Sequence, residues 1–212
     1  MQLTRPIARS MGNFFMGVLQ MKKAMIFIDG SNVFYDWHKS YPSDNMDIAK
    51  YIETIKNKYS DVDFIRTYYF ATESSTNSAF LQVVNRIPHC QVIKGRLQEK
   101  HIYINEKMGI LCGKCGDTVK SGVIRTHTDK GTDVNIAVEM LRHGYSDSFD
   151  LAILISRDAD FAGVVRIIKN LGKNVDLVLF ESETGNAEEL TDTVDRVLIF
   201  DANDCISCKK TP

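Results

Sequence analysis

Apolar residues along this 212-residue chain fall into two alternating rhythms. Short unbroken runs occur at "AMIFID" (24–29), "DFIRTYYFA" (63–71), "QVIKGRL" (91–97), "LAILIS" (151–156), "KNVDLVLF" (173–180) and "RVLIFD" (196–201). Runs of that length suit strands buried on both faces. Between them, apolar residues return at helical spacing in "MDIAKYIETIKNK" (46–58), "NSAFLQVVNRI" (77–87), "TDVNIAVEMLRHG" (132–144), "DFAGVVRIIKNLG" (160–172) and "NAEELTDTV" (186–194). In the third of these, Val134, Ala137, Val138 and Leu141 predict the inward face, with Thr132 as N-cap and Gly144 as the stop. In the fourth, Phe161, Val164, Val165, Ile168 and Leu171 share a face.

Strands alternating with helices imply right-handed crossovers, and hence an α/β, doubly wound, mostly parallel Rossmann-like sheet flanked by helices. Residues 98–130 break the rhythm. There "HIYIN" and "GVIRTH" predict an antiparallel ribbon around a cysteine knuckle. The domain is expected over 23–201, with a disordered extension at 1–22, Met21 as an alternative start and a cysteine-bearing tail at 202–212.

Composition narrows the function classes. Hydrophobic residues make up 44% and charged residues 25% of the chain, the proportions of a globular protein. No apolar run approaches the about 18–20 residues that span a bilayer. A net charge of −1 gives no global attraction to nucleic acid, so a polyanion site would have to be local or built with metal ions. The odd cysteine count, without a secretory leader pattern, favours a reducing compartment and a cytoplasmic location. Cys112 with Cys115 and Cys205 with Cys208 each have the spacing that lets two thiolates grip one tetrahedral ion. A structural zinc held by all four is one reading, with His101 or His127 as substitutes. Free buried thiols or independent redox pairs are the others.

In an open α/β sheet, ligands bind beyond the carboxyl ends of the strands, where the winding direction switches. Three segments deliver acids there. Asp29 ends the first strand in "FIDGSN", with Asn32 one turn on. Asp158 and Asp160 follow the strand at 151–156 in "LISRDADF", after Ser156 and Arg157. Asp133 opens a helix in "KGTD", beside Lys130. Taken singly, Asp133, Asp158 and Asp160 read equally well as helix caps or dipole partners. Asp29 is harder to dismiss in this way, because a buried strand has no need to end in Asp. If the first strand and the 151–156 strand are neighbours, the carboxylates meet in one crevice. There they repel one another unless cations neutralise them. Oxygen clusters of this kind suit Mg²⁺ or Mn²⁺, which clamp a phosphodiester and activate water. Glu139, six residues after Asp133, turns away on a regular helix and reads as structural.

The ordered set "FIDGSN", "KGTDVNIAVEML" and "LISRDADF" followed by "LGKNV" resembles the NYN domain, a branch of the PIN-like nucleases, and its LabA-like group especially. That resemblance spans roughly 23–180. It implies a parallel Rossmann-like sheet and an acidic site that cuts RNA with metal ions. The implied ligands are Asp29, Asp133 and Asp158, with Asp160 a fourth acid and Asn32 and Ser156 polar supports. Arg157 departs from the family, which usually has a small residue there. It is a candidate for contacting a phosphate, or for pairing with an acid and obstructing the site. Rival motifs fail on single residues: a haloacid-dehalogenase-type site wants Asp where Ser31 stands, and a dinucleotide fold wants more glycine than Gly30.

Residues 94–130 hold eight lysines and arginines against four acids, the most basic stretch of the chain. They read either as phosphate contacts or as a solvated ribbon. The resulting expectation is an Mg²⁺- or Mn²⁺-dependent endoribonuclease acting on single-stranded or structured RNA, with homo-oligomerisation open. The alternatives are a non-catalytic RNA- or protein-binding module on the same fold and a nuclease for structured DNA.

Overall fold

In the computed structural model, residues 21–210 are described, with only the backbone of residues 184–186; the extension expected at 1–22 lies almost wholly outside them. The run at 24–28 is buried at every position because β1 (Lys22–Asp29) runs through the middle of a seven-stranded sheet. On one side of it lie β2 (Val62–Thr72), β3 (Cys90–Asn105) and β4 (Ser121–Lys130), and on the other β5 (Leu151–Ile155), β6 (Asn174–Phe180) and β7 (Arg196–Phe200). The order is β4-β3-β2-β1-β5-β6-β7, parallel throughout except for the β3–β4 pair. Winding reverses between β1 and β5, which are hydrogen-bonded neighbours, the condition under which the strand-end acids share a crevice.

The pleat of β1 sorts the core into two layers. Ala24, Ile26 and Ile28 face α1 (Gly30–Ser40), α2 (Ile48–Lys56), α3 (Ser78–Val84) and the short α7 (Ala202–Ser207). Met25 and Phe27 face α4 (Thr132–Tyr145), α5 (Ala162–Asn170) and the single turn α6 (Glu188–Thr191). Each fully buried Ile or Phe contributes about 1.5–3 kcal/mol, so this two-sided burial dominates the stability. No helix among the described residues is long and apolar enough to cross a membrane.

Three local expectations change. Helix α1 is not evident from the apolar spacing, because it buries Asp36 with Val33 and Trp37 while exposing Phe34 and Tyr35. Asp29 sets its start, its Oδ1 accepting from the amides of Ser31 and Asn32 at 3.1 Å each. Helix α4 turns a different face inward: Ile136, Met140 and His143 are buried, whereas Val134 and Val138 are exposed. Its N-cap is Gly131, and it runs one residue past Gly144. Finally, "QVIKGRL" and "HIYIN" are one strand. Its first part, to Gly95, pairs parallel with β2, and from Arg96 it pairs antiparallel with β4. The ribbon formed by β3 and β4 therefore grows directly out of the sheet.

Candidate active site

Asp29 sits at the switch point, 1% exposed, with every acceptor direction of its carboxylate used. Oδ1 takes the two α1 amides, while Oδ2 takes Asn32 Nδ2 and, at 3.1 Å, Ser156 Oγ. A carboxylate has about four such directions, so Asp29 is fully engaged. Burial pushes its carboxyl above the ordinary range, against the pull of these bonds. The neighbouring strand end is tied in by the same hydroxyl: Ser156 Oγ accepts from the amide of Asp158 at 3.2 Å. Asp158 in turn caps the turn that leads into α5, accepting from the amide of Asp160 at 3.0 Å. Capping and membership of the acidic crevice therefore coexist in one residue. Asp160 is exposed.

Asp133 stands in the first turn of α4 and faces the same crevice. Burial, first, and then the charges of Asp29, Asp158, Asp129 and Asp160 hold its carboxyl above the ordinary range. Four other carboxylates thus act on one. Among the described residues, no three His, Cys, Asp or Glu side chains stand together closely enough to enclose a metal ion. The donor chemistry fits a hard divalent cation, because the carboxylates lack a neutralising partner. Closing a shell requires side-chain adjustment, and ligation by Asp29 requires Asn32 or Ser156 to release a bond.

Asp129 is an acid that motif spacing missed. Its Oδ1 accepts from Thr72 and, at 2.9 Å, from Thr132 Oγ1, and Ser31 Oγ donates to its Oδ2 at 3.4 Å. Only the return of β4 beside β3 brings it to the crevice. The one sequence signal is its position four residues before Asp133, inside "TDKGTD". Lys130, next to it, is exposed, and Glu139 pairs with Arg142 at 3.0 Å, away from the crevice.

Arg157 does not enter the crevice. Its Nε donates to Asp36 Oδ1 at 2.9 Å and lies 3.9 Å from Glu183 Oε2, on the side of α1. Pairing with an acid is what the residue does, but the acid is a buried one behind the site.

The four cysteines are not brought together. Cys112 and Cys115 lie between β3 and β4 at the far edge of the sheet order, half-buried and exposed respectively. Cys205 and Cys208 lie after β7, buried against α2, with Thr54 Oγ1 3.4 Å from Cys208 Sγ. The two pairs lie at opposite ends of the sheet order and, among the described residues, do not form one site within the chain. His101 pairs with Glu99 at 3.2 Å instead.

A family profile and one solved structure agree with this architecture. The family profile described as NYN domain matches residues 23–201. A Vibrio parahaemolyticus protein of unknown function has a similar structure, with a TM-score of 0.60, 20% identity, and coverage of 90% of this chain and 98% of its own. A UDP-GlcNAc 2-epimerase from Methanocaldococcus jannaschii aligns over 87% of this chain and 40% of its own, at 9% identity and a TM-score of 0.40. None of the curated proteins searched matches the chain.

Proposed function

The chain belongs to the NYN domain family, and from that premise we propose that it hydrolyses RNA phosphodiester bonds, with Mg²⁺ or Mn²⁺, at the crevice between β1 and β5. One observation supports this reading: acids from β1, β4 and the turn after β5 all act on Asp133 of α4. Asp133, Asp158 and Asp29 would hold the cation, with Asp160 and Asp129 adding negative charge. When bound, the cation supplies charge neutralisation, activation of water and stabilisation of the leaving oxygen.

The chain's own residues do the rest. Ser156 fixes Asp29 and Asp158 relative to each other through one hydroxyl. Asn32 holds the outer face of Asp29 and is the group best placed to yield when a cation enters. Lys130, exposed next to Asp129 at the end of β4, would meet a substrate phosphate, and the ribbon's bases would extend the contact. Part of that charge is spent internally: Lys94 pairs with Glu73 at 2.8 Å.

The full engagement of Asp29 favours a second reading, an RNA-binding module without turnover. One experiment separates the two. Labelled RNA is incubated with Mn²⁺ and the wild type, Asp29→Asn or Asp158→Asn, with and without EDTA. Cleavage by wild type alone, lost in EDTA, supports hydrolysis; binding without cleavage supports the module. Equal cleavage by all three proteins would refute the assignment of the site. A parallel arm with structured DNA tests the nucleic-acid preference.

A further inference from the structure

The tip of the β3–β4 ribbon carries chemistry that the acidic crevice does not use. The chain there folds tightly: the amide of Cys112 donates to Asp117 O at 2.8 Å, and that of Gly116 to Cys112 O at 2.9 Å. Leu111 and Thr118 bridge the two arms below. Gly116 adopts a φ of 76°, which a side chain would resist. This turn sets Cys112 and Cys115 at one ribbon tip. Hydrogen bonding from the Lys114 amide, and then from Cys115, holds the Cys112 thiol below its ordinary range. Lys107, Lys114 and Lys120 add positive charge nearby in sequence.

Two cysteines at this spacing can supply half of a tetrahedral zinc shell. Among the described residues, no third His, Cys, Asp or Glu joins the pair to enclose an ion. Cys205 and Cys208 are buried at the opposite end of the sheet order, and Cys90 is half-buried at the base of β3. His101 lies four residues short of the end of β3, about 13 Å along an extended strand, and is paired with Glu99. The tip also exposes Leu111 and Met108, apolar surface that a partner would cover.

We propose that two copies of the chain share one zinc ion at their ribbon tips, each giving Cys112 and Cys115. A two-fold axis through the ion makes identical halves sufficient, since an isologous contact supplies each ligand twice. On assembly the thiols lose their protons to solvent, four S–Zn bonds form and no electrons move. The covering of Leu111 and Met108 on both copies accompanies the metal bonds. This site is independent of the acidic crevice.

The test is made on the full chain, kept reduced and titrated with Zn²⁺, measuring zinc by elemental analysis and mass by light scattering. Half a zinc ion per chain and a dimer that chelator returns to monomer are expected. Co²⁺ in place of zinc should give the intense sulfur-to-metal absorption of a four-thiolate site. Cys112→Ser and Cys115→Ser should each lose metal and dimer together while melting like the metal-free wild type, because neither side chain belongs to the two core layers. Asp158→Asn should keep both, which separates this inference from the nuclease reading. One zinc per monomer, no zinc, or a dimer that survives chelation or Cys112→Ser would overturn it.

Discussion

Arg157→Gly places a family-like small residue between Ser156 and Asp158, and its effect follows from what the guanidinium holds. Asp36 is buried on α1, with its carboxyl pushed up chiefly by burial; Arg157, 2.9 Å away, is the main influence pulling it back. Breaking a fully buried pair costs about 3–5 kcal/mol, whereas an exposed pair is worth about 0–1. The Arg157 side chain is 37% exposed and that of Asp36 only 7%, so the case is intermediate. A loss of about 2 kcal/mol near neutral pH follows, or a fall in Tm of about 4–8 °C for a domain of this size.

The pH dependence fixes the mechanism. Because the folded carboxyl titrates above its unfolded value of 3.8, ionising Asp36 costs stability as pH rises through and above that value. Removing Arg157 raises the folded value further. The deficit of Arg157→Gly is therefore small near pH 4, grows with pH, and is complete once Asp36 is ionised in the folded state. Urea unfolding at about pH 4.5 and about pH 7.5, for Arg157→Gly, Asp36→Asn and the double variant, reads this out. The double variant should recover part of the loss, with a coupling of about 1–2 kcal/mol. An equal deficit at both pH values, or strictly additive single effects, would refute the ion-pair account. RNA cleavage by Arg157→Gly should not rise, since the guanidinium never occupied the crevice; a faster variant would show that it obstructs.

Asp133→Asn removes a carboxylate pressed by four others, so it should raise the melting temperature measured in EDTA while lowering RNA cleavage; a lower melting temperature would contradict the repulsion inferred for the crevice. Gly30→Ala should destabilise by about 1–3 kcal/mol in urea unfolding, because the added Cβ would stand 2.6 Å from Phe70 O and 2.7 Å from the Tyr69 ring. Lys130→Ala should weaken RNA binding and flatten its dependence on log salt concentration by about 0.7–0.9, the value of one phosphate contact; an unchanged slope would remove Lys130 from the interface.

The sheet was legible because its strands are buried on both faces, so apolar runs such as 24–28 and 151–155 stand without interruption. The helices were legible only where burial and polarity agree. Helix α2 buries Ile48, Tyr51, Ile52 and Ile55 at ideal spacing. Helix α1 violates the rule by burying a charge whose partner, Arg157, lies 121 residues away. Helix α4 carries two apolar stripes, and the one packed inward is decided by the sheet, not by the helix. Its exposed Val134 and Val138 are the better stripe by spacing alone, which is why the inward face was misassigned.

The acidic crevice was legible for a different reason: its acids stop apolar strands or open helices, positions the sequence marks by itself. Asp129 lacked that mark, because it lies in the ribbon's return strand and reaches the crevice only through the antiparallel pairing of Leu97 with Asp129. The engagement of Asp29 was equally hidden, since four short hydrogen bonds leave no trace in spacing. Both omissions bear on chemistry. Asp129 increases the negative charge that a cation would relieve, and the saturation of Asp29 raises the cost of using it as a ligand. Metal affinity at the proposed site would therefore depend on the balance between relief of repulsion around Asp133 and release of Asn32 from Asp29. Asn32→Ala shifts that balance: it removes the competing amide without touching a carboxylate. Mn²⁺ binding measured by titration calorimetry should tighten in Asn32→Ala if the amide competes with the ion. Weaker binding would show instead that Asn32 holds Asp29 in its ligating orientation, and that the bond stays when the cation enters.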